Sequence, residues 1–357
     1  MAPVVFHVEY PRVLPARRPP DYTPRAPRYS LRWREPVASV VADYVGIQRS
    51  ELPWPEQRAF LDRIGAAFDH PDGPAAHEFL RCTDDAGFVN AIVVAYWTDS
   101  TAHARWSAHS EAMAWFRSAD RLTEAAGYWR ETIAVGYERL ETIYSRPDYR
   151  IGLGRTPDTV IEGITTNGYP GAARDRLPIS AVDELASPWD GPPVPRPVRS
   201  AGRRLRAVTP HNMAALRSGQ YWAGAGPEQL TDYVENLEPK LLAGMSYLVE
   251  NKEKSGTLAL RIMRNIDEAG GDRAETSVAA YFLSLAHLEG WAASHPTHEA
   301  IYEHAIEMAL KYGDRREVVT WHELMVLPSC ATFEYVNCHP ETGLLPYAEL
   351  VFEEVER

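Results

Sequence analysis

Three cysteines in 357 residues, Cys82, Cys330 and Cys338, are too few and too scattered for a disulfide framework, and their odd number leaves one over. They also stand too far apart to form a zinc knuckle, so they read as reduced, structural thiols. No run of about 18 apolar residues occurs, and nothing in the chain reads as membrane-spanning. Positive charge is in deficit: 37 Lys and Arg against 49 Asp and Glu give a formal charge of -12. A phosphate backbone needs a concentrated positive field, so nucleic acid is excluded as the natural partner and a small molecule is the default.

What is present is an ordinary globular composition, 45% hydrophobic, with length enough for one to three domains. Residues 1–40 form an Arg- and Pro-rich stretch without the apolar core of a signal peptide; they read as an arm hugging the surface of a cytoplasmic protein. Two segments resemble each other, AYWTDSTAHARW (Ala95 to Trp106) and AYFLSLAHLEGW (Ala280 to Trp291), each following a strand-like run and turning helical. Around them the chain reads as two α+β halves. The first, 41–150, comprises SVVADYVGIQ, a helix PEQRAFLDRIGAAFD, FVNAIVVAYW, further helices and a last strand RLETIYS. The second, 207–357, comprises NMAALRSGQYW, a long helix from PEQLTDYV, TLALRIMRNID with TSVAAYFLSL, helices, and VVTWHELMVLP. The order suggests two ferredoxin-like repeats, each with a sheet covered on one face. Residues 151–206 link them, and SPWDGPPVPRPVRSAGRRLR (187–206) reads as a draped loop that is neither helix nor central strand.

The stretch WAASHPTHEA (291–300) carries two histidines at the start of a helix. Ser294 is placed to cap it, with Pro296 in its first turn. From residue 298, apolar Ile301, Tyr302, Ala305, Met308, Ala309 and Tyr312 fall on one stripe, so His298 heads the buried face. Glu299, Glu303, His304 and Glu307 fall on faces expected to meet solvent, and His295 precedes the first regular turn. With HExxH absent and no further ligand at short spacing, zinc is disfavoured. His298 is then either a satisfied core histidine or a ligand in an apolar pocket, and haem is the cofactor that takes one imidazole in such a bed. CxxCH is missing, so any haem is held without thioether bonds. His322, alternating with Val318, Thr320, Leu324 and Val326, reads as an inward strand histidine.

FDHPDGP (Phe68 to Pro74), RDRLPIS (Arg174 to Ser180), RSGQYW (Arg217 to Trp222), RNID (Arg264 to Asp267), SHPTH (Ser294 to His298) and NCHPETG (Asn337 to Gly343) occur in the order and spacing of one family. On these motifs the chain resembles the haem-containing aldoxime dehydratases, enzymes of phenylacetaldoxime or aliphatic aldoximes that form a nitrile and water. The resemblance implies a homodimer with a dimeric α+β barrel-type core and haem between sheet and helices. It implies His298 as axial ligand of non-covalent ferrous haem b, and Arg176, Ser218 and His322 on the substrate side, supported by Glu141. The oxime nitrogen then sits on the iron, His322 acts as general acid and base, Ser218 orients the oxime oxygen and Arg176 holds it. Two alternatives stay open: a haem-binding sensor or carrier, from a different class, and a haem enzyme of this fold acting on another N–O or peroxide substrate.

The chain departs from the pattern twice. Thr166, Asn167 and Gly168 stand where the family often places a histidine, and Arg28 lies near a position of the arm that can be apolar.

Overall fold

The computed structural model describes residues 10–328 and 331–353, so Cys330 lies outside the described residues. Fourteen strands form one sheet whose neighbours are antiparallel throughout. In chain order they are β1 (Arg28–Trp33), β2 (Ser39–Arg49), β3 (Ala76–Thr83), β4 (Val89–Trp97), β5 (Gly127–Gly136), β6 (Leu140–Tyr144) and β7 (Thr159–Ile164). There follow β8 (Arg204–Val208), β9 (Ala214–Tyr221), β10 (Thr257–Ile266), β11 (Asp272–Phe282), β12 (Val319–Val326), β13 (Thr332–Val336) and β14 (Val351–Glu353). Their order across the sheet is β14-β8-β13-β5-β2-β4-β3-β10-β11-β9-β12-β6-β1-β7.

Two runs within this sheet share one connectivity. In β5-β2-β4-β3 the strands lie in the order fourth, first, third, second along the chain, and β12-β9-β11-β10 repeats it. The runs join where β3 pairs with β10, Arg81 opposite Arg264. Helices α1 (Trp54–Ala66), α2 (Ser100–His109) and α3 (Glu111–Arg117) cover the first run. The short α4 (Ala172–Arg176) lies between the runs in sequence; α5 (Pro227–Asp232), α6 (Glu238–Glu250), α7 (Lys252–Ser255), α8 (Leu285–Ser294) and α9 (Pro296–Tyr312) belong to the second. The local chemistry explains the helix starts. Pro55 sits in the first turn of α1, Asp99 accepts from the Thr101 amide at α2, and Ser110 accepts from Met113 at α3. No described helix is long and apolar enough to cross a membrane.

The continuous apolar run of β4 is buried on both faces. On one face Tyr96 joins Tyr44, Trp129, Tyr281 and Trp321 in an inner core shared by both runs. On the other, Trp97 joins Trp106, Phe60 and Phe116 beneath the first run's helices. Truncating a fully buried side chain of this size costs about 3–5 kcal/mol, so Trp106→Ala would loosen the whole helix layer.

Three expectations need correction. RLETIYS does not close the first run: β5, unassigned from sequence, takes that place, and β6 pairs with β12 instead. Strand pairing is decided by partners far along the chain, which local pattern does not report. The draped loop ends early, because Arg204 to Arg206 belong to β8, which lies between β13 and β14. Ala76–Thr83 is a further strand that the sequence reading left unassigned, as it did β1, β7, β13 and β14.

Candidate functional site

The register of the second run brings the polar candidates together. On β12, His322 lies opposite Ser218 of β9 and Ile143 of β6, and Leu324 lies opposite Glu141. Directly paired residues point to the same face with Cβ atoms roughly 5 Å apart. That face is the outer one, where a cavity of about 780 Å³ separates the sheet from α6, α8 and α9. Its apolar wall includes Leu216, Leu241, Met245, Val278, Phe282 and Leu288; its polar groups are Arg28, Glu141, Arg176, Ser218, His298 and His322. A largely apolar cavity with few converging polar groups is the usual form of a small-molecule site.

The first run shows what fills the corresponding place there. Seven residues after the Trp that closes each similar segment stand Met113 (106 + 7) and His298 (291 + 7), each just inside the first turn of its helix. Met113 is fully buried against the sheet. His298 lines open space instead.

His298 meets the Trp291 ring edge-on, with centroids 4.8 Å apart and planes at 67°. Its Nδ1 is buried and makes no hydrogen bond of good geometry, although the Ala292 carbonyl lies beside the ring. Burial, opposed by the Ala292 carbonyl and reinforced by His322, pushes its pKa down to about 4, so the ring is neutral at neutral pH. Buried polar atoms are nearly always paired, and a neutral imidazole with an orphaned nitrogen on an apolar wall suits the axial ligand of a haem. These residues therefore fit the cofactor. No group of three or more His, Cys, Asp or Glu that could hold a metal ion occurs among the described residues.

The neighbours of His298 differ from expectation. Ser294 ends α8, its hydroxyl donating to Gly290 O at 3.0 Å. The cap of α9 is His295, whose Nδ1 accepts from the Thr297 amide at 3.3 Å while its ring stacks on Tyr247 at 3.6 Å. An imidazole nitrogen can replace a serine oxygen as acceptor here because Tyr247 fixes the ring. His304 is buried, not solvated, with Nε2 2.9 Å from Asp232 Oδ2 and Nδ1 3.3 Å from Lys240 Nζ. The long α5–α6 segment packs over that side of α9, which the helix's own periodicity could not reveal.

Opposite His298, Glu141 organises two cations. Its side chain is fully buried; Oε2 accepts from Arg176 Nε at 2.6 Å and Oε1 lies 2.8 Å from His322 Nε2. Burial would raise the carboxyl, but the Arg176 guanidinium and His322 outweigh it and hold the pKa at about 2. The carboxylate is thus an acceptor, and His322 Nε2 carries the proton of their bond. His322 Nδ1 has no partner among the described residues, leaving it free for a molecule in the cavity. Arg176 also donates to Thr166 O at 2.9 Å, and its Nη2 lies 3.4 Å from His322 Nε2.

Arg176 is held from behind. Asp175 accepts from the backbone amides of Arg17 and Arg18 at 2.9–3.0 Å, so the arm pins α4. The loop before it turns at Gly168, where φ is 82° and a Cβ would stand 2.5 Å from the Tyr22 hydroxyl. Ser218 Oγ donates to Trp321 O at 3.2 Å, a weak bond that a better acceptor can displace.

All five candidates thus line one cavity. Trp291 and Tyr302, whose hydroxyl donates to Gly168 O at 3.2 Å, line it too and were not singled out from sequence. The Trp closing each similar segment was the available signal for the first.

Comparison with known proteins points one way. The model of a family described as haem-containing dehydratase matches residues 43–344. The aliphatic aldoxime dehydratase of Pseudomonas chlororaphis is 36% identical over 341 residues, covering 95% of this chain and 96% of that protein. The phenylacetaldoxime dehydratase of Bacillus sp. (strain OxB-1) is 31% identical, covering 93% of this chain and 94% of that protein. A crystal structure of an aldoxime dehydratase in complex with butyraldoxime superposes with a TM-score of 0.87 at 33% identity, covering 95% of this chain and 94% of that one.

Proposed function

The chain belongs to the haem-containing dehydratase family, and on that premise we propose that it is a lyase that dehydrates an aldoxime to a nitrile. The observation that carries the reading is the division of one cavity: a neutral, orphaned His298 on the helix wall and the Glu141–Arg176–His322 cluster with Ser218 on the sheet wall.

His298 would hold non-covalent haem, which when ferrous would supply affinity for the oxime and electron density to its N–O bond. The rest falls to the protein. Ser218 donates a hydrogen bond to the oxime oxygen and fixes its direction. Arg176 keeps its positive charge near that oxygen, where negative charge develops as N–O breaks. The imidazolium of His322, stabilised by Glu141, gives a proton to the departing oxygen, which leaves as water with the N–O electron pair. The neutral ring then takes the hydrogen on the adjacent carbon as a proton, and the C–H pair becomes the third carbon–nitrogen bond. No net oxidation occurs, and His322 ends as it began. Positioned proton transfer of this kind contributes roughly 100- to 10,000-fold. The apolar wall excludes water and strengthens each of these interactions.

The repeated fourth-first-third-second strand order supports reading the two runs as ferredoxin-like repeats of a duplicated α+β chain. A division into an arm (1–40), two halves (41–150 and 207–357) and the connecting segment (151–206) belongs to the same proposal, with β6 exchanged between halves. So does a cytoplasmic homodimer, carried by the family resemblance alone.

The test is anaerobic incubation of the haem-loaded, dithionite-reduced protein with a panel of alkyl and arylalkyl aldoximes, with product analysis. Nitrile from at least one is expected; nitrile from none overturns the proposal.

A further inference from the structure

Arg28 stands on the cavity wall without an acidic partner. In β1 its neighbour Tyr29 pairs with Tyr144 of β6. Tyr144 faces the inner core, so strand alternation turns Arg28 to the outer face, the side of Ile143 and His322. Its side-chain hydrogen bond is to the carbonyl next in the chain, Pro27 O, at 2.9 Å from Nη1. Other arginines around this cavity are matched: Arg176 with Glu141, Arg174 with Glu289, and Arg25 with Glu303.

A second cation stands behind it. Arg316 is buried, donates from Nη1 to Ala305 O at 3.2 Å, and has an Nε with no partner. Burial and the charge of Arg28 push its pKa down to about 9, with Asp232 opposing, but Asp232 is already bonded to His304 at 2.9 Å. Burial lowers Arg28 as well. A desolvated guanidinium is costly unless paired, and Arg28 on the cavity wall, with the Arg316 charge acting on it, leaves positive charge that a bound anion would neutralise.

We propose that Arg28, backed by Arg316, is a carboxylate-binding site in the cavity wall, taking either a carboxylate tail on the substrate or a propionate of haem. The proposal rests on the haem-dependent dehydratase reading. The planar guanidinium fork matches a carboxylate bidentately. Arg28 comes from the strand two removed from that of His322, a lateral distance of roughly 10 Å at the usual strand spacing. One occupant can therefore present an oxime at Ser218 and His322 and a carboxylate at Arg28, with its chain along the apolar wall.

Two arms separate the sources. In the first, ω-carboxyalkyl aldoximes of graded length are compared with their carboxamides by kcat/KM. In the second, binding of haem to the haem-free protein is compared with binding of haem dimethyl ester by Soret titration. A charge-assisted bond corresponds to a preference of roughly 10- to 100-fold for the carboxylate form in one arm, falling to near unity in Arg28→Leu. A preference in the first arm assigns the substrate, and in the second the propionate. Wild-type ratios below about threefold in both arms, or a preference that survives Arg28→Leu, overturn the proposal. Where Arg28→Leu does not fold, Arg28→Gln supplies the variant reading, and wild-type ratios below about threefold refute the proposal without either. Failure of every aldoxime to give nitrile strikes the dehydratase reading instead, and the haem arm still reads Arg28.

Discussion

Glu141→Gln removes a charge while keeping shape. Its two carboxylate oxygens are divided between Arg176 Nε at 2.6 Å and His322 Nε2 at 2.8 Å, and the side chain is fully buried. The amide retains one acceptor oxygen but leaves Arg176 without its counter-ion. Breaking a buried pair from one side costs about 3–5 kcal/mol, so the variant should be destabilised by that order at neutral pH. The pH dependence has a definite sign. Because the folded carboxyl is held at about 2 against an ordinary 4.5, its stabilisation is complete above pH 4.5 and is lost as pH falls towards 2. The gap between wild type and variant is therefore flat above pH ~5 and narrows below it. Turnover should fall by about 100-fold or more, since the general acid loses both orientation and charge support. Urea unfolding at a series of pH values, with nitrile formation measured alongside, checks both. A variant within about 1 kcal/mol and about threefold of wild type would refute the reasoning.

Ser218→Ala should lower kcat/KM by about tenfold with stability changed by less than about 1 kcal/mol, since its bond to Trp321 O is weak; steady-state kinetics and thermal melting read this. His295→Ala should cost about 1 kcal/mol through loss of the cap of α9, measured by chemical unfolding, with little change in haem content. Burial and the nearby Glu78 push Glu275 up to about 7, against which Arg155 and Arg217 pull. An acid raised on folding destabilises once ionised, so the penalty is absent below pH 4.5 and grows as pH rises through 7. Glu275→Gln should accordingly be more stable than wild type at pH 8 by on the order of 1–2 kcal/mol and lose that advantage at pH 4.5; equal melting differences at both pH values would contradict this.

The sequence carried what local periodicity can carry. His298 could be placed on the apolar stripe of α9, and His322 on one face of β12, because side-chain facing repeats every 3.6 or 2 residues. The similar segments ending at Trp106 and Trp291 were visible because both must close a helix over a strand. What escaped detection depends on distant partners. The cap at His295 relies on Tyr247, the burial of His304 on Asp232, and the crossing of β6 to β12 on distant strand pairings such as Ile143 with His322. Nothing in RLETIYS itself says which sheet it will join. Arg28 was visible as an oddity in the arm, but its lack of a counter-ion is a three-dimensional fact.

The central claim is that one cavity holds a haem ligand on its helix wall and a proton-transfer group on its sheet wall, and that the two functions separate. His298→Ala and His322→Ala, reconstituted with haem in parallel, test it by haem content from the Soret band and by nitrile formed anaerobically. The account expects His322→Ala to keep haem and lose turnover by at least about 100-fold, and His298→Ala to bind haem poorly. A haem-replete, active His298→Ala protein, or a fully active His322→Ala protein, would contradict it.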